Sequence, residues 1–401
     1  MATPILKPTY FLRYSLLFIT LLGAMYTTYI NVPHGVMWFI NALICISFIK
    51  PISLMDNKKE NLWILYLFFV WCFIGFIRGA LLDNDYWRWK MLIGNLFLIM
   101  LPFMCCLFTS PSILRMQMRP MLLFGLLFFP IHFVSIRYSH GVGQYLYFML
   151  LYMLYIPLLP KRWRYITIII FFIASFYDIG ARSALIKNSI ALLLALVLYL
   201  NLDKRWLFKV LHPIIMFFPI VLLCLGIAGI FNVFKFDQYI DFEENETTTE
   251  LSADTRTGLY ENVIASAVLN EYIIQGRTPA RGYDSTNFTV MFADRGASEV
   301  SIHNIFTYYG LIGTVLYFLI FYIASWRAIF QSRNRYIPIL GIFVSFRWIY
   351  AWIEDFSVFD IGYVFLWVMI AMCMSSRFRY MSDGEFRYWL NLTLPFGRVK
   401  L

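Results

Sequence analysis

Apolar runs long enough to cross a bilayer follow one another along almost the whole chain, each closed by charge, proline or glycine. A backbone in hydrocarbon must satisfy its own hydrogen bonds, so segments of this length and composition become helices. The runs fall near residues 11–30, 35–49, 62–77, 91–108, 121–136, 143–159, 165–178, 184–200, 211–234, 303–326, 336–353 and 356–375, which predicts twelve spans. With 61% of residues hydrophobic and 14% charged, too little polar surface remains to coat soluble domains. A soluble enzyme, a disordered tail and a disulfide scaffold are thereby excluded. The six cysteines (Cys45, Cys72, Cys105, Cys106, Cys224, Cys373) all lie inside apolar runs and read as small buried hydrophobes. The expected fold is an all-α polytopic membrane protein with about twelve transmembrane helices.

The net charge of +10 finds its use in topology and not in nucleic acid. Lys50/Lys58/Lys59, Arg115/Arg119, Lys161/Arg162/Arg164, Lys204/Arg205/Lys209 and Arg327/Arg333/Arg335 fall on one side of the twelve spans, together with both termini. That side carries 21 Lys and Arg against 10 in the opposite linkers, so it is expected to be the cytoplasm. The first run is followed by Asn31 and Pro33 without a small-residue cleavage pattern, which predicts an uncleaved anchor. No internal repeat is visible. The expected division is helices one to nine over 1–234, an outer loop over 235–302, helices ten to twelve over 303–376 and a cytoplasmic tail over 377–401.

The loop is the one long polar segment, and its twelve acidic residues outweigh its five basic ones by seven. Within it Leu259, Val263, Ile264, Ala267 and Val268 recur at helical spacing after Asp254, a candidate N-cap, and the run closes near Gly276. An amphipathic helix over the bundle follows. Arg256 would fall in its first turn, where a guanidinium adds a bidentate fork to a helix end that already favours anions. The ordinary alternative is a pairing with Glu261 or another carboxylate of this acidic loop. Glu299 and His303 are four residues apart, so a helix that began before them would put carboxylate and imidazole on one face; a plain interfacial histidine is the alternative. At the end of the seventh span, Tyr177-Asp178-Ile179-Gly180-Ala181-Arg182-Ser183 turns tightly and leaves Arg182 on the same outer side, unless it simply snorkels. Asp83-Asn84-Asp85 reads as an acidic turn, with divalent-ion binding as the lesser alternative.

Gly180-Ala181-Arg182-Ser183-Ala184, then Arg256 and Ile274-Gln275-Gly276, then Ser301-Ile302-His303-Asn304 running into Tyr309-Gly310-Leu311-Ile312-Gly313, together resemble the O-antigen ligase/polymerase family of bacterial inner-membrane glycosyltransferases. The resemblance covers residues 177 to 315 in detail and the span layout in outline; the acidic stretch from Asp241 to Glu250 has no counterpart in that pattern. It implies a donor oligosaccharide on undecaprenyl diphosphate, presented at the periplasmic leaflet of the inner membrane, and transfer to an acceptor hydroxyl. On that reading Arg182 and Arg256 grip the diphosphate, and His303, oriented by Glu299, is the general base. Arg277, Arg281 and Arg295 are further candidates for the diphosphate or sugars, and Tyr283, Tyr308 and Tyr309 for stacking on sugar rings. Neither metal nor cofactor is required. The acceptor is a second lipid-linked repeat unit for an O-antigen, capsule or exopolysaccharide polymerase, or lipid A core for a ligase in lipopolysaccharide biosynthesis; membrane lipid and a chain-length regulator protein are the other implied partners. A transporter or flippase without chemistry is the competing class, and it would place charge at mid-span, where Lys187, Arg347 and the border pair Glu354/Asp355 are the principal examples.

Overall fold

The computed structural model describes residues 60–95, 105–135, 146–177, 182–228, 257–284, 296–355 and 361–395, with isolated positions 36, 39 and 102. The expected spans at 11–30 and 35–49 lie outside the described residues, apart from positions 36 and 39. Among the described residues the architecture is helical: α1 (Trp63–Ala80), α2 (Tyr86–Gly94), α3 (Pro111–Ser135), α4 (Leu150–Leu154), α5 (Lys161–Phe176), α6 (Arg182–Tyr199), α7 (Arg205–Ile227) and α8 (Thr257–Leu269). There follow α9 (Ser301–Phe330), α10 (Tyr336–Tyr350), α11 (Ile361–Met374), α12 (Ser376–Tyr380) and α13 (Asp383–Leu392).

Three of these helices are long and apolar enough to cross a membrane: 63–80, 205–226 and 301–330. Their surfaces explain what surrounds them. In α1 the stripe Ile64, Leu65, Phe68, Cys72, Gly75 and Gly79 is buried, while Trp63, Leu67, Val70, Ile74 and Ile77, spaced four and three apart, are exposed. In α7 Val210, Ile214, Phe217 and Val221 repeat that spacing on an exposed face. A helix that is apolar on its outward stripe as well as its inward one has lipid as its outer neighbour. The chain is a helical membrane protein.

The central helix is α9, which packs against α1, α7, α10 and α11. It begins at Ser301 because Val300 is extended (φ −125°), and its first N–H groups reach across the bundle: Ser301 donates to the Glu354 carbonyl at 3.2 Å and Ile302 to the Ala351 carbonyl at 2.9 Å. At its other end lie the cationic linkers. Arg205 donates to the Arg333 carbonyl at 2.6 Å, Arg335 Nε to Asp203 at 2.9 Å, and Arg379 to Gln331 Oε1 at 2.8 Å. Linkers that the sequence predicts on one side therefore meet at one end of the bundle.

Two expectations are revised. Residues 143–159 do not form one helix: where described, they run as a 3-10 turn (Leu146–Met149), the five residues of α4 and a second 3-10 turn (Ile156–Leu158), with every residue from Leu146 to Tyr155 buried. Pro157 disfavours helical backbone at the residue before it, and full burial erases the stripe that would mark an element. Arg115 and Arg119, expected in a linker, lie inside α3. Over the described residues 376–395 the end of the chain packs against the bundle. Phe378, Phe386 and Leu390 are buried, Trp389 Nε1 donates to the Pro111 carbonyl at 2.9 Å, and Tyr152 OH donates to Thr393 Oγ1 at 3.1 Å.

Candidate functional site

The end of the bundle opposite the cationic linkers is organised by a break in α9. Gly310 has φ +67° and ψ −165°, outside helical geometry. In an unbroken helix Leu311 N–H would bond to the Thr307 carbonyl. Here Leu311 donates to the Ile273 carbonyl at 2.8 Å, Ile312 to the Ile274 carbonyl at 3.3 Å, and the Thr307 carbonyl accepts from Arg277 N–H at 2.7 Å. The loop after α8 is thus spliced into the gap. The splice needs two glycines: a Cβ on Gly310 would stand 2.3 Å from the Ile274 carbonyl oxygen, and one on Gly276 (φ +74°) would stand 2.4 Å from the Tyr309 nitrogen. α1 closes the joint from the side, because Trp71 Nε1 donates to the Tyr309 carbonyl at 2.8 Å and Arg78 to the carbonyls of Gln275 and Gly276 at 3.0 and 3.2 Å.

About two turns above the break, His303 is buried in the first turn of α9. Its Nδ1 is 3.0 Å from Ser298 Oγ, and the Tyr260 ring of α8 meets it edge-on with centroids 4.0 Å apart. Tyr260 is itself fixed by donating to the Trp352 carbonyl at 2.6 Å. Asn304 grips the backbone of Ser298 at both ends, accepting its N–H at 2.7 Å and donating to its carbonyl at 2.9 Å. The imidazole is therefore held through one ring nitrogen by a serine whose own position is set by the residue next to the histidine.

A buried ion pair braces this first turn. Lys187, fully buried in α6, donates to both carboxylate oxygens of Glu354 at 2.6 and 2.8 Å and lies over the rings of Tyr147 and Tyr350 at 4.2 and 5.3 Å. Tyr363 donates to the same carboxylate at 3.2 Å. Burial alone would raise the Glu354 carboxyl, but the charges of Lys187 and Arg347 and these hydrogen bonds outweigh it and hold the group below the usual carboxylate range. Because the Glu354 carbonyl accepts from Ser301 N–H and Asp355 accepts from Ser301 Oγ at 3.3 Å, the ion pair ties α6 to the start of α9.

Of the residues singled out in the sequence, His303 and the backbone of Arg182 belong to these braced helices: α6 begins at Arg182, about 7 Å along the axis from Lys187 at 1.5 Å per residue. Arg256 and Arg295, and the side chain of Arg182, lie outside the described residues. Glu299 precedes the helix in an exposed bend, so it does not share a helical face with His303; the Nδ1 contact described above is to Ser298. Arg277 is half-buried, paired with Asp284 at 2.9 Å and bonded to the Gly282 carbonyl at 3.0 Å. Burial raises the Asp284 carboxyl, yet hydrogen bonds from Asn270 and Arg277 and the Arg277 charge prevail and hold it below the ordinary value. Arg281 donates to the Asp83 carbonyl at 3.2 Å. Tyr283, Tyr308 and Tyr309 are buried, with Tyr308 donating to the Gly296 carbonyl at 2.8 Å, so their rings pack in the protein interior. In the acidic turn Asp85 caps α2 by accepting from Arg88 N–H at 2.8 Å and Asn84 donates to the Gly79 carbonyl at 2.7 Å. No group of three or more His, Cys, Asp or Glu is spaced to hold a metal ion among the described residues.

The sequence reading missed Ser298, Tyr260, Trp71, Arg78 and the pairing of Lys187 with Glu354. The last two lie 167 positions apart, and nothing local announces them. Asn304 and both glycines were visible as letters in the motif, without their roles. The fold and the braced histidine define an α-helical membrane protein with a polar cluster at one end of its bundle. No protein-family model, curated protein or solved structure matches the chain.

Proposed function

We propose that this protein is a membrane glycosyltransferase that moves an oligosaccharide from undecaprenyl diphosphate to an acceptor hydroxyl, as the motif around Arg182, Arg256 and His303 implies. In this reading the chain crosses the bacterial inner membrane twelve times, both termini are cytoplasmic and the loop faces the periplasm. The observation that carries the chemistry is the buried imidazole of His303, held at Nδ1 by Ser298 at 3.0 Å in the first turn of α9. Imidazole is the side chain whose chemistry suits a general base for an acceptor hydroxyl, and fixing its ring through Nδ1 sets the orientation of the group. The Lys187–Glu354 brace supports the same reading, because it joins the helix that starts at Arg182 to the helix that carries His303. The gathering of cationic linkers at the opposite end agrees with a cytoplasmic end there.

The step balances with residues of this chain alone. The acceptor oxygen forms a bond to the anomeric carbon as its proton passes to His303, and the bond from that carbon to the diphosphate oxygen breaks, with the electron pair leaving on the lipid diphosphate. Arg182 and Arg256 would offset that charge. The preferred acceptor is a second lipid-linked repeat unit, which makes the protein a polymerase of O-antigen, capsule or exopolysaccharide.

The test is purified protein in proteoliposomes supplied with undecaprenyl-diphosphate-linked repeat units. Chain growth supports the polymerase, and growth only after adding lipid A core makes the protein a ligase. His303→Ala and Arg256→Ala each remove transfer while leaving folded protein. A wild-type chain that translocates the lipid and forms no glycosidic bond with either acceptor sinks the proposal in favour of transport.

A further inference from the structure

The loop end carries an apolar surface that an extramembranous loop has no use for. On α8 the inward residues are Val263, Ser266 and Ala267, all buried, while Ile264, Val268 and Leu269 are 42%, 57% and 80% exposed. The helix is apolar on its outer face too, which differs from the single stripe expected of a helix resting on a bundle under water. The turn that follows continues the surface with Ile273 and Ile274, the latter 65% exposed.

The backbone of that turn is joined to the outward side of a membrane-spanning helix. Ile273 and Ile274 give their carbonyls to Leu311 and Ile312, and Leu311, Ile312 and Val315 are themselves exposed on α9. On the other flank Arg78 of α1, one residue beyond exposed Ile77, holds Gln275 and Gly276. The apolar turn is therefore continuous with the outward stripes of two helices whose neighbour is lipid. Much of its backbone is hydrogen-bonded within the protein, as irregular chain at membrane depth requires: Tyr272 N–H donates to the Ala267 carbonyl at 3.1 Å, Gly276 N–H to the Tyr272 carbonyl at 2.8 Å and Arg277 N–H to the Thr307 carbonyl at 2.7 Å. A second marker of the interface lies beside it: α2 exposes Tyr86, Trp87 and Trp89, with Lys90 over the Trp87 ring at 4.7 Å, the composition of a helix at headgroup level.

We infer that the outer face of α8 and the turn at Ile273-Ile274 are seated in the lipid bilayer, at the boundary of headgroups and acyl chains, so that the loop after α8 is a membrane-embedded element. Lipid is the occupant. The polar ends of the segment, Glu261 and Asn270-Glu271, are exposed and stand at the water edge of the same surface. The inference is independent of the transfer chemistry; joined to it, it puts His303 at headgroup depth.

Single cysteines at Val268→Cys and Ile274→Cys, with Glu261→Cys as the aqueous control, test it in the full chain. Cys45 and the exposed Cys224 are replaced by alanine, and the four remaining cysteines are buried. Each site is labelled with an environment-sensitive fluorophore and the protein is placed in nanodiscs, with nitroxide on the lipid chains as one quencher and aqueous iodide as the other. At 268 and 274 the emission is expected to be blue-shifted, with a lipid-to-iodide quenching ratio at least about threefold that at 261. Iodide quenching at 268 and 274 equal to that at 261 overturns the proposal, because the face then stands in water. Quenching by neither also overturns it, since protein and not lipid would be the cover. The two positions are independent, so one poorly folded variant leaves the other to decide.

Discussion

Removing Lys187 is the most exacting probe of how this bundle is braced. Lys187→Met keeps the length and apolar stem of the side chain, deletes the ammonium between Glu354, Tyr147 and Tyr350, and leaves the Glu354 carboxylate inside the protein with Tyr363 and Arg347. Two charge-assisted hydrogen bonds of 2.6 and 2.8 Å disappear. Breaking one side of a buried ion pair costs about 3 kcal/mol, mostly because the remaining charge is stranded. At roughly 2.1 cal/mol/K per residue, a chain of 401 residues then melts about 4 °C lower. The compensating variant, Lys187→Met with Glu354→Gln, strands no charge and should recover most of that loss, to within about 1 °C of the native protein. Tryptophan fluorescence melts of the four proteins in nanodiscs give the full cycle. A Lys187→Met melt indistinguishable from native, or a double variant as unstable as the single one, refutes the assignment of this pair as the tie between α6 and the start of α9.

Other outcomes follow from the same geometry. With histidine labelled by nitrogen-15, the His303 ring should show one dominant tautomer, which becomes a mixture in Ser298→Ala and returns in Ser298→Thr; an unchanged alanine spectrum removes Ser298 from the positioning of the ring. Gly310→Ala places a Cβ 2.3 Å from the Ile274 oxygen at φ +67°, so a loss of at least about 2 kcal/mol is expected, together with faster deuterium uptake over 272–278 and 307–313; native uptake there argues against the splice. The Asp284 carboxyl is held below its ordinary value of about 3.9. A depressed carboxyl stabilises the fold above its unfolded value and loses that contribution as pH falls through its folded value. Uptake over residues 266–284, corrected for intrinsic exchange, should therefore stay constant from pH 7 to 5 and rise below about pH 4; Asp284→Asn should show raised uptake at every pH, and a native pH response in that variant contradicts the Arg277 pairing.

Hydropathy was a good guide where a run is helical and its ends are marked by charge. The runs at 165–178, 184–200 and 336–353 correspond to α5, α6 and α10 within a few residues, because charged residues bracket them. It failed where burial is complete. From Leu146 to Tyr155 every side chain is inside, so an apolar run carries no period to separate a continuous helix from turns. The break at Gly310 was hidden for a related reason: a lone glycine in an apolar helix is usually tolerated, and only contact with residues 273–277 reveals its positive φ. His303 was legible as a histidine beside the loop. Its contact with Ser298 was not, since that depends on where the helix starts, and Val300 and the carbonyls at 351 and 354 decide the start from far along the sequence.

The last described segment has a consequence for how the protein is made. Residues 376–395 emerge from the ribosome after the helices they staple, yet Trp389 holds the start of α3, Trp163 of α5 donates to the Pro395 carbonyl at 3.2 Å, and Asn334 donates to the Phe378 carbonyl at 2.9 Å. Early helices thus wait in the membrane with open hydrogen-bonding partners until translation has passed them by more than two hundred codons. A truncation before residue 376 removes the keystone of that assembly, and an affinity tag intended to be inert belongs beyond Pro395.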